Sequence, residues 1–116
     1  MASGSLLDLL QGYLNVATDR QQVITANMAN VDTPGYHARD INFQAALQQA
    51  MNDGPNGQQL NPASIEVEGL PERPDGNNVN IDRESMLLSQ TQLQYQMGVS
   101  LIKDQFQNLL TAINKE

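Results

Sequence analysis

The stretch that decides the fold is ANMANVDTPGYHARD, residues 26 to 40, where an apolar-periodic run ends at a Pro-Gly turn. Pro34 disfavours the helical region for Thr33, and Gly35 can supply the positive φ of a type II turn. The sequence therefore predicts a helix that ends immediately before this turn.

Two Ala-Asn pairs stand just before the turn, although asparagine is a poor helix former. Ala26 and Ala29 are small enough for another helix to approach closely, while Asn27 and Asn30 lie near one face and can hydrogen-bond a neighbouring backbone. A buried amide in a helical seam fixes its register at some cost in stability. The alternative is that Asn30 only helps to end the helix, an interpretation that fits Asn27 less well because it lies farther from the turn.

Outward from the turn towards the N-terminus, apolar residues follow a helical period from about Leu6 to Val31. Four of them are spaced seven apart, namely Leu10, Ala17, Ile24 and Val31. This pattern predicts one long helix with a single apolar stripe, much longer than the average globular helix of about 11 to 12 residues.

The C-terminal third shows the cleanest periodicity in the chain. Two series repeat every seven residues: Ile81, Leu88, Tyr95, Ile102 and Leu109, and beside them Val99, Phe106 and Ile113. Asn80 or Asp82 can cap this helix, which is predicted to run to about Ile113. The predicted helix-packing seam comprises Leu10, Ala17, Ile24, Leu88, Tyr95, Val99, Ile102, Phe106, Leu109 and Ile113.

The middle of the chain is less regular. Asp40 or Asn42 can cap a short helix that ends near residues 52 to 54, and from Asp53 to Asn78 many Pro and Gly residues exclude any long regular element. Only residues 64 to 68, SIEVE, alternate like a brief strand.

The predicted fold is mainly α, with two long terminal helices that carry heptad stripes, as in a helical hairpin or coiled coil. Between them lie a short helix and an irregular insert with a possible β segment. We expect residues 1-52, 53-79 and 80-116 to form the N-terminal part, the insert and the C-terminal helix of a single axial domain.

Composition excludes several classes of function. The 116 residues include 13 Asp and Glu against 6 Lys and Arg, a net charge of -7, so no basic patch is available for nucleic acid. The absence of cysteine excludes disulfides and thiolate zinc sites. The N-terminus lacks the pattern of a cleaved signal peptide, and no apolar stretch is long enough to span a membrane.

Long uncharged segments point to an interface. No charged residue occurs from Ser85 to Ile102 or from Gln21 to Val31. Depletion of charge distinguishes the core of an interface from open surface, because uncharged polar groups cost less to desolvate. These helices are therefore expected to meet partners, although Gln-rich polar faces of an amphipathic pair within one monomer would give the same pattern.

Catalytic patterns are weak. His37, the only histidine, stands near Asp32 and Asp40, but three such residues in a turn are more typical of solvated surface than of a metal site. Residues 75 to 80, DGNNVN, begin like a calcium loop but lack its later ligands and its turn glycine. Glu66 and Glu68 alternate as at the wet edge of a strand. We predict no enzyme, no metal, no cofactor and no small-molecule substrate; a small acidic hydrolase that uses His37 or the carboxylates is the weakest hypothesis.

The run ANMANVDTPGY resembles the signature of flagellar rod, hook and hook-associated axial proteins, whose N-terminal helix ends in A-N-x-A-N-x-x-T-P-G-Y. ARDINF, DGNNVNIDRE and YQMG resemble the proximal members of the flagellar basal-body rod protein family most closely. The resemblance covers roughly residues 6 to 52 and 75 to 114. It implies a signature segment for subunit assembly made of Ala26, Asn27, Ala29, Asn30, Thr33, Pro34, Gly35 and Tyr36.

The resemblance also implies a function: a structural subunit of the rod that transmits torque and assembles through its terminal helices. The implied partners are other copies of the chain, other rod proteins, the adaptor FliE beside the MS ring, and the flagellar type III export apparatus. The implied location is the periplasmic rod of the basal body, reached without a cleaved signal. The alternative is a cytoplasmic helical adaptor or export chaperone for axial proteins.

Overall fold

A computed structural model describes residues 5–53 and 64–114. The described chain contains helix α1 (Ser5–Ala29), strand β1 (Arg39–Asp40), helix α2 (Phe43–Asp53), strand β2 (Ile65–Glu66) and helix α3 (Ile81–Asn114). The predicted fold class is confirmed: the fold is mainly helical, with two long helices, a short helix and a small strand pair between them.

Asparagines begin two of the three helices. The Asn42 Oδ1 atom accepts a 3.0 Å hydrogen bond from the Ala45 N–H at the start of α2. Asn80 Oδ1 accepts one of 3.1 Å from the Arg83 N–H at the start of α3. Of the residues that the sequence offered as caps, these two occupy the N-cap position and satisfy backbone donors that the first helical turn leaves free.

Helices α1 and α3 pack side by side and run antiparallel. Asn27, near the end of α1, hydrogen-bonds Glu84 near the start of α3. Farther along, Gly98 of α3 lies against Tyr13 and Leu14 of α1. Residue numbers therefore fall along α1 as they rise along α3, which makes the two helices the arms of a hairpin.

The fully buried residues of α3 are not those of its apolar heptads. The buried residues of α3 are Glu84, Leu87, Thr91 and Gly98. Glycine and threonine let the two helices come close, which a row of leucines would prevent. The predicted α3 seam lies beside this contact or in solvent: Leu88, Val99 and Ile102 are half-buried, and Tyr95, Phe106, Leu109 and Ile113 are exposed.

The core lies mainly against α1. Leu10, Ala17 and Ile24, the three α1 residues of the predicted seam, are all buried. On the side towards α2, Val16 packs with Ile41 and Ala46. The ring of Tyr13 meets Phe43 edge to face, with 5.2 Å between the ring centroids.

The predicted strand at residues 64 to 68 is confirmed as the two-residue strand β2, which pairs antiparallel with β1 so that Arg39 lies opposite Glu66. Residues 54 to 63 of the Pro/Gly-rich insert lie outside the described residues. None of the helices that the structure describes is both long and apolar enough to cross a membrane.

Candidate assembly site

At the signature turn, Gly35 lies in contact with Gly76 of the loop before α3. Gly35 and Gly76 both have positive φ, at 76° and 86°, which glycine adopts without strain. The Gly35 N–H donates a 2.9 Å hydrogen bond to the Asp75 carbonyl. A Cβ atom on Gly76 would lie 3.3 Å from the Cα of Gly35, a tight contact, whereas a Cβ atom on Gly35 would meet nothing within 4 Å.

Asn27 uses its whole amide within the chain. Its Oδ1 accepts hydrogen bonds from the Arg39 N–H at 3.0 Å and the Tyr36 hydroxyl at 3.2 Å. Its Nδ2 donates to the Arg39 carbonyl at 2.8 Å and to Glu84 Oε1 at 2.9 Å. The side chain is 0% exposed, and four bonds fill the capacity of an amide. Asn27 therefore joins α1, the residues after the turn and α3.

Asn77, which is also buried, ties the loop before α3 to the end of α1. Its Nδ2 donates to the carbonyls of Asn30 at 2.9 Å and Thr33 at 2.8 Å. Its Oδ1 accepts from the Val79 N–H at 2.8 Å. These two carbonyls also accept hydrogen bonds from the backbone N–H groups of Thr33 and Tyr36, so a side chain 44 or more residues away gives each of them a second bond.

Asn78 and Arg73 add further bonds between the same two segments. The Ala38 N–H donates to Asn78 Oδ1 at 2.6 Å, and the Asn78 N–H donates to the Tyr36 carbonyl at 3.2 Å. Arg73 donates from Nη1 to the Val79 carbonyl at 3.0 Å and from Nη2 to the Val31 carbonyl. We call the buried set Asn27, Asn77, Asn78 and Glu84, together with Tyr36, the signature clamp.

The other signature residues lie on the surface beside the clamp. Asn30 is half-buried; its Nδ2 donates to the Ala26 carbonyl at 2.8 Å, and its Oδ1 accepts from the Thr33 hydroxyl at 3.0 Å. These bonds are those of a residue that helps to end a helix, the alternative that the sequence left open for Asn30. Ala26, Ala29, Thr33, Pro34 and Gly35 are exposed.

An ion pair outside the clamp secures the segment that follows the turn. Arg20 of α1 donates two hydrogen bonds to the Asp40 carboxylate, at 2.9 and 3.0 Å. Both side chains are largely buried. A bidentate pair of this kind fixes orientation as well as distance, and it places β1 against α1.

His37 is part of an ion pair network on the surface. Its Nε2 lies 2.9 Å from Glu72, and its Nδ1 lies 3.3 Å from Glu66. The hydrogen bond with Glu66 is the main cause that raises the pKa of His37, and the charge of Glu72 adds to it. Within residues 5–53 and 64–114, no three His, Cys, Asp or Glu residues are grouped so that they could hold a metal ion.

Sequence reasoning missed Asn77, Asn78, Glu84 and Gly98. The DGNN stretch begins like a calcium loop and forms part of the family resemblance, but neither feature indicates that its asparagines are buried; Asn and Gly are also typical turn residues. Glu84 stands in the first turn of α3, where a carboxylate is expected at the surface because the helix dipole favours it there. Only the fold brings Glu84 against Asn27, 57 residues away.

Comparison with known proteins places this geometry in context. The family model described as "Flagella basal body rod protein" matches residues 10–37, which include the signature turn. The chain is 35% identical to the flagellar basal body rod protein FlgB of Escherichia coli (strain K12), across 89% of this chain and 88% of that protein. The FlgB proteins of Yersinia ruckeri and Aeromonas hydrophila are 32% and 31% identical, over 90% and 91% of this chain and 90% of each relative.

Proposed function

The chain belongs to the flagellar basal body rod proteins, and from this premise we propose how its residues serve the rod. It is a structural subunit of the flagellar basal body, and it assembles with copies of itself and with other rod components. The observation that carries this conclusion is a likeness to FlgB proteins that extends over about nine-tenths of both chains rather than over the signature alone.

Within the subunit, the signature clamp holds α1 and α3 in one antiparallel register, and the exposed residues around it contact neighbouring subunits. Asn27 and Tyr36 act inside the chain, where four hydrogen bonds engage the Asn27 amide. The assembly surface at the turn comprises Ala26, Ala29, Thr33, Pro34 and Gly35, with Asn30 shaping the end of α1 beneath it.

The predicted seam residues also divide into those that act inside the subunit and those that contact neighbouring subunits. Leu10, Ala17 and Ile24 are buried and support the hairpin. The α3 series is open enough to meet neighbours in the shaft: Leu88, Tyr95, Val99, Ile102, Phe106, Leu109 and Ile113. In this proposal residues 1–52, 53–79 and 80–116 act together as a single axial domain.

The likeness to FlgB proteins supports a proposal for the position of the subunit. We place it next to the adaptor FliE on the MS-ring side of the basal body, in the periplasmic rod. We also propose that the flagellar type III apparatus exports it without cleavage of a signal peptide. The adaptor or chaperone interpretation is not favoured, because the relatives are rod proteins.

Mass spectrometry of washed basal bodies tests the proposed function. An affinity tag would be inserted within the Pro/Gly-rich residues 54 to 63 of the chain in a flagellated strain that lacks its own copy. We expect the tagged chain to restore swimming and to be enriched in washed basal bodies relative to the cytosol. A chain found only in the cytosolic fraction, in cells that swim, would support the chaperone interpretation instead.

A further inference from the structure

Helix α3 carries an exposed apolar stripe that faces away from α1. Its members recur in alternating steps of four and three residues: Met86, Gln90, Leu93, Met97 and Ser100. The three large apolar side chains among them are 63%, 58% and 54% exposed. We call this set the outer stripe. It is separate from the residues that α3 buries against α1 and from the predicted seam.

Helix α1 carries a second exposed series with the same spacing. Its members are Gln11, Asn15, Thr18, Gln22, Thr25 and Ala29, here called the polar stripe. None is charged, and the side chains of Thr18, Thr25 and Ala29 are short. Alternating steps of four and three residues are the spacing at which side chains of one helix fit between those of another.

The distribution of charge indicates which partner can cover these stripes. The chain has a net charge of -7, yet no charged residue occurs at 9–18, 21–31 or 85–102. Between the two α1 segments stand only Asp19 and Arg20, and Arg20 is bound to Asp40. Asp19 itself is partly buried, and this burial raises its pKa. The two stripes offer no carboxylates to a basic partner and no Lys or Arg to a nucleic acid. An equally uncharged helix face, in contrast, can be buried against them without desolvating ions.

We propose that the outer stripe of one copy packs against the polar stripe of a second copy. This contact rests on the proposed function and specifies the faces that assemble. Met86, Leu93 and Met97 supply large side chains, and the polar stripe offers short ones between which they fit. Because the two stripes lie on different helices, every copy can use both at once, and a heterologous contact of this kind links copies into a ring or a helical assembly. Two outer stripes packed on each other would close a dimer instead.

Disulfide cross-linking between copies that each carry one engineered cysteine tests this contact. The chain contains no cysteine, so an engineered pair would be its only thiols. Leu93→Cys would be co-expressed with Asn15→Cys, Thr18→Cys or Gln22→Cys in a strain that lacks its own copy. The matched control is Gln92→Cys, at a residue that is also exposed but lies one position off the stripe. A disulfide needs Cα atoms within about 7 Å, so we expect about tenfold more mixed dimer with Leu93→Cys than with Gln92→Cys in washed basal bodies.

Two results would overturn the contact: dimers only between two Leu93→Cys chains, or mixed dimers no more abundant than those formed with Gln92→Cys. Neither result would change the conclusion that the chain is a rod subunit. Absence of the unmodified chain from washed basal bodies would overturn the proposed function, and this contact with it. A second pair of variants tests the contact even if the cysteine substitutions themselves prevent assembly. Leu93→Lys should deplete the chain from basal bodies without changing the melting temperature of the purified protein, and Gln92→Lys should not. Equal recovery of both lysine variants would also refute the contact.

Discussion

The side-chain amide of Asn27 in α1 donates a 2.9 Å hydrogen bond to the carboxylate of Glu84 in α3, and both side chains are 0% exposed. A contact between residues 57 positions apart fixes how far one helix is displaced along the other. A buried polar pair tolerates such a displacement poorly, because each group would lose its partner without regaining water. Asn27 and Glu84 therefore set the register of the hairpin.

Asn27→Ala should destabilise the chain by about 1 to 3 kcal/mol, since it leaves Glu84 Oε1 and the Arg39 backbone without their partner, while Glu84 Oε2 keeps its ion pair with Arg83. The matched control is Asn30→Ala, which removes bonds at a partly exposed helix end and should cost less than about 1 kcal/mol. Urea unfolding gives both free energies. Equal costs for the two variants would show that the clamp does not stabilise the fold.

Gly98→Val should disturb the close packing of α1 against α3. A Cβ atom built on Gly98 lies 2.7 Å from Leu14 Cδ2 and 3.0 Å from Tyr13 Cδ1. Valine adds two further methyl groups, and overpacking of this kind typically costs about 1 to 3 kcal/mol. Ser89→Val on the exposed side of the same helix is the control. The prediction fails if thermal unfolding shows the same melting temperature for both variants.

His37 should make stability depend on pH near neutrality. Its pKa is raised above the ordinary 6.5, first by the hydrogen bond with Glu66 and then by Glu72. A raised folded-state pKa means that the contribution is fully present below pH 6.5 and is lost as pH rises through the folded pKa. The difference in unfolding free energy between wild type and His37→Gln should therefore shrink as the pH rises from about 6 to about 8, where histidine titrates.

An NMR titration of the imidazole provides an independent check of the same prediction. The His37 resonances should titrate above pH 6.5 in the wild type and at lower pH in Glu66→Gln. An unchanged midpoint in that variant would remove Glu66 as the cause. Glu68→Gln serves as the control, because Glu68 has no described contact with the ring.

Hydrogen exchange in dilute solution should divide α3 into two parts. Amides near Leu87 and Thr91 lie where the helix is buried against α1, and they should exchange slowly. Amides from Lys103 to Asn114 belong to a part in which nearly every residue is exposed, and they should exchange much faster. Uniform protection along the whole helix would contradict this division.

Much of this fold could be predicted from the sequence because long periods and turn residues are local signals. The 3.6-residue period predicts α1 and α3, and Pro34 with Gly35 predicts where α1 stops. The face that α3 presents to α1 could not be predicted in this way. The apolar heptads predict one face, whereas the residues buried in the observed contact include Glu84, Thr91 and Gly98. These residues can be buried only because of partners far away in the chain.

The candidate site shows the same limit. The sequence singles out the asparagines at 27 and 30 and leaves open that Asn30 ends the helix, but the partners of Asn27 could not be predicted. Asn27 acts through four bonds to two other segments, the residues after the turn and α3, and Asn30 acts locally on its own helix end. The partner loop, with Asn77 and Asn78, carries no periodic pattern, and only its three-dimensional position makes it part of the clamp.

The central claim is that the exposed C-terminal half of α3 serves assembly rather than folding. Large apolar side chains at Leu101, Phe106, Leu109, Leu110 and Ile113 are half or more exposed. The most direct test is the amount of a chain truncated after Ser100 that is recovered in washed basal bodies. The account predicts that this truncated chain is nearly absent from basal bodies and that the cells do not swim. Recovery at the wild-type level in swimming cells would contradict it.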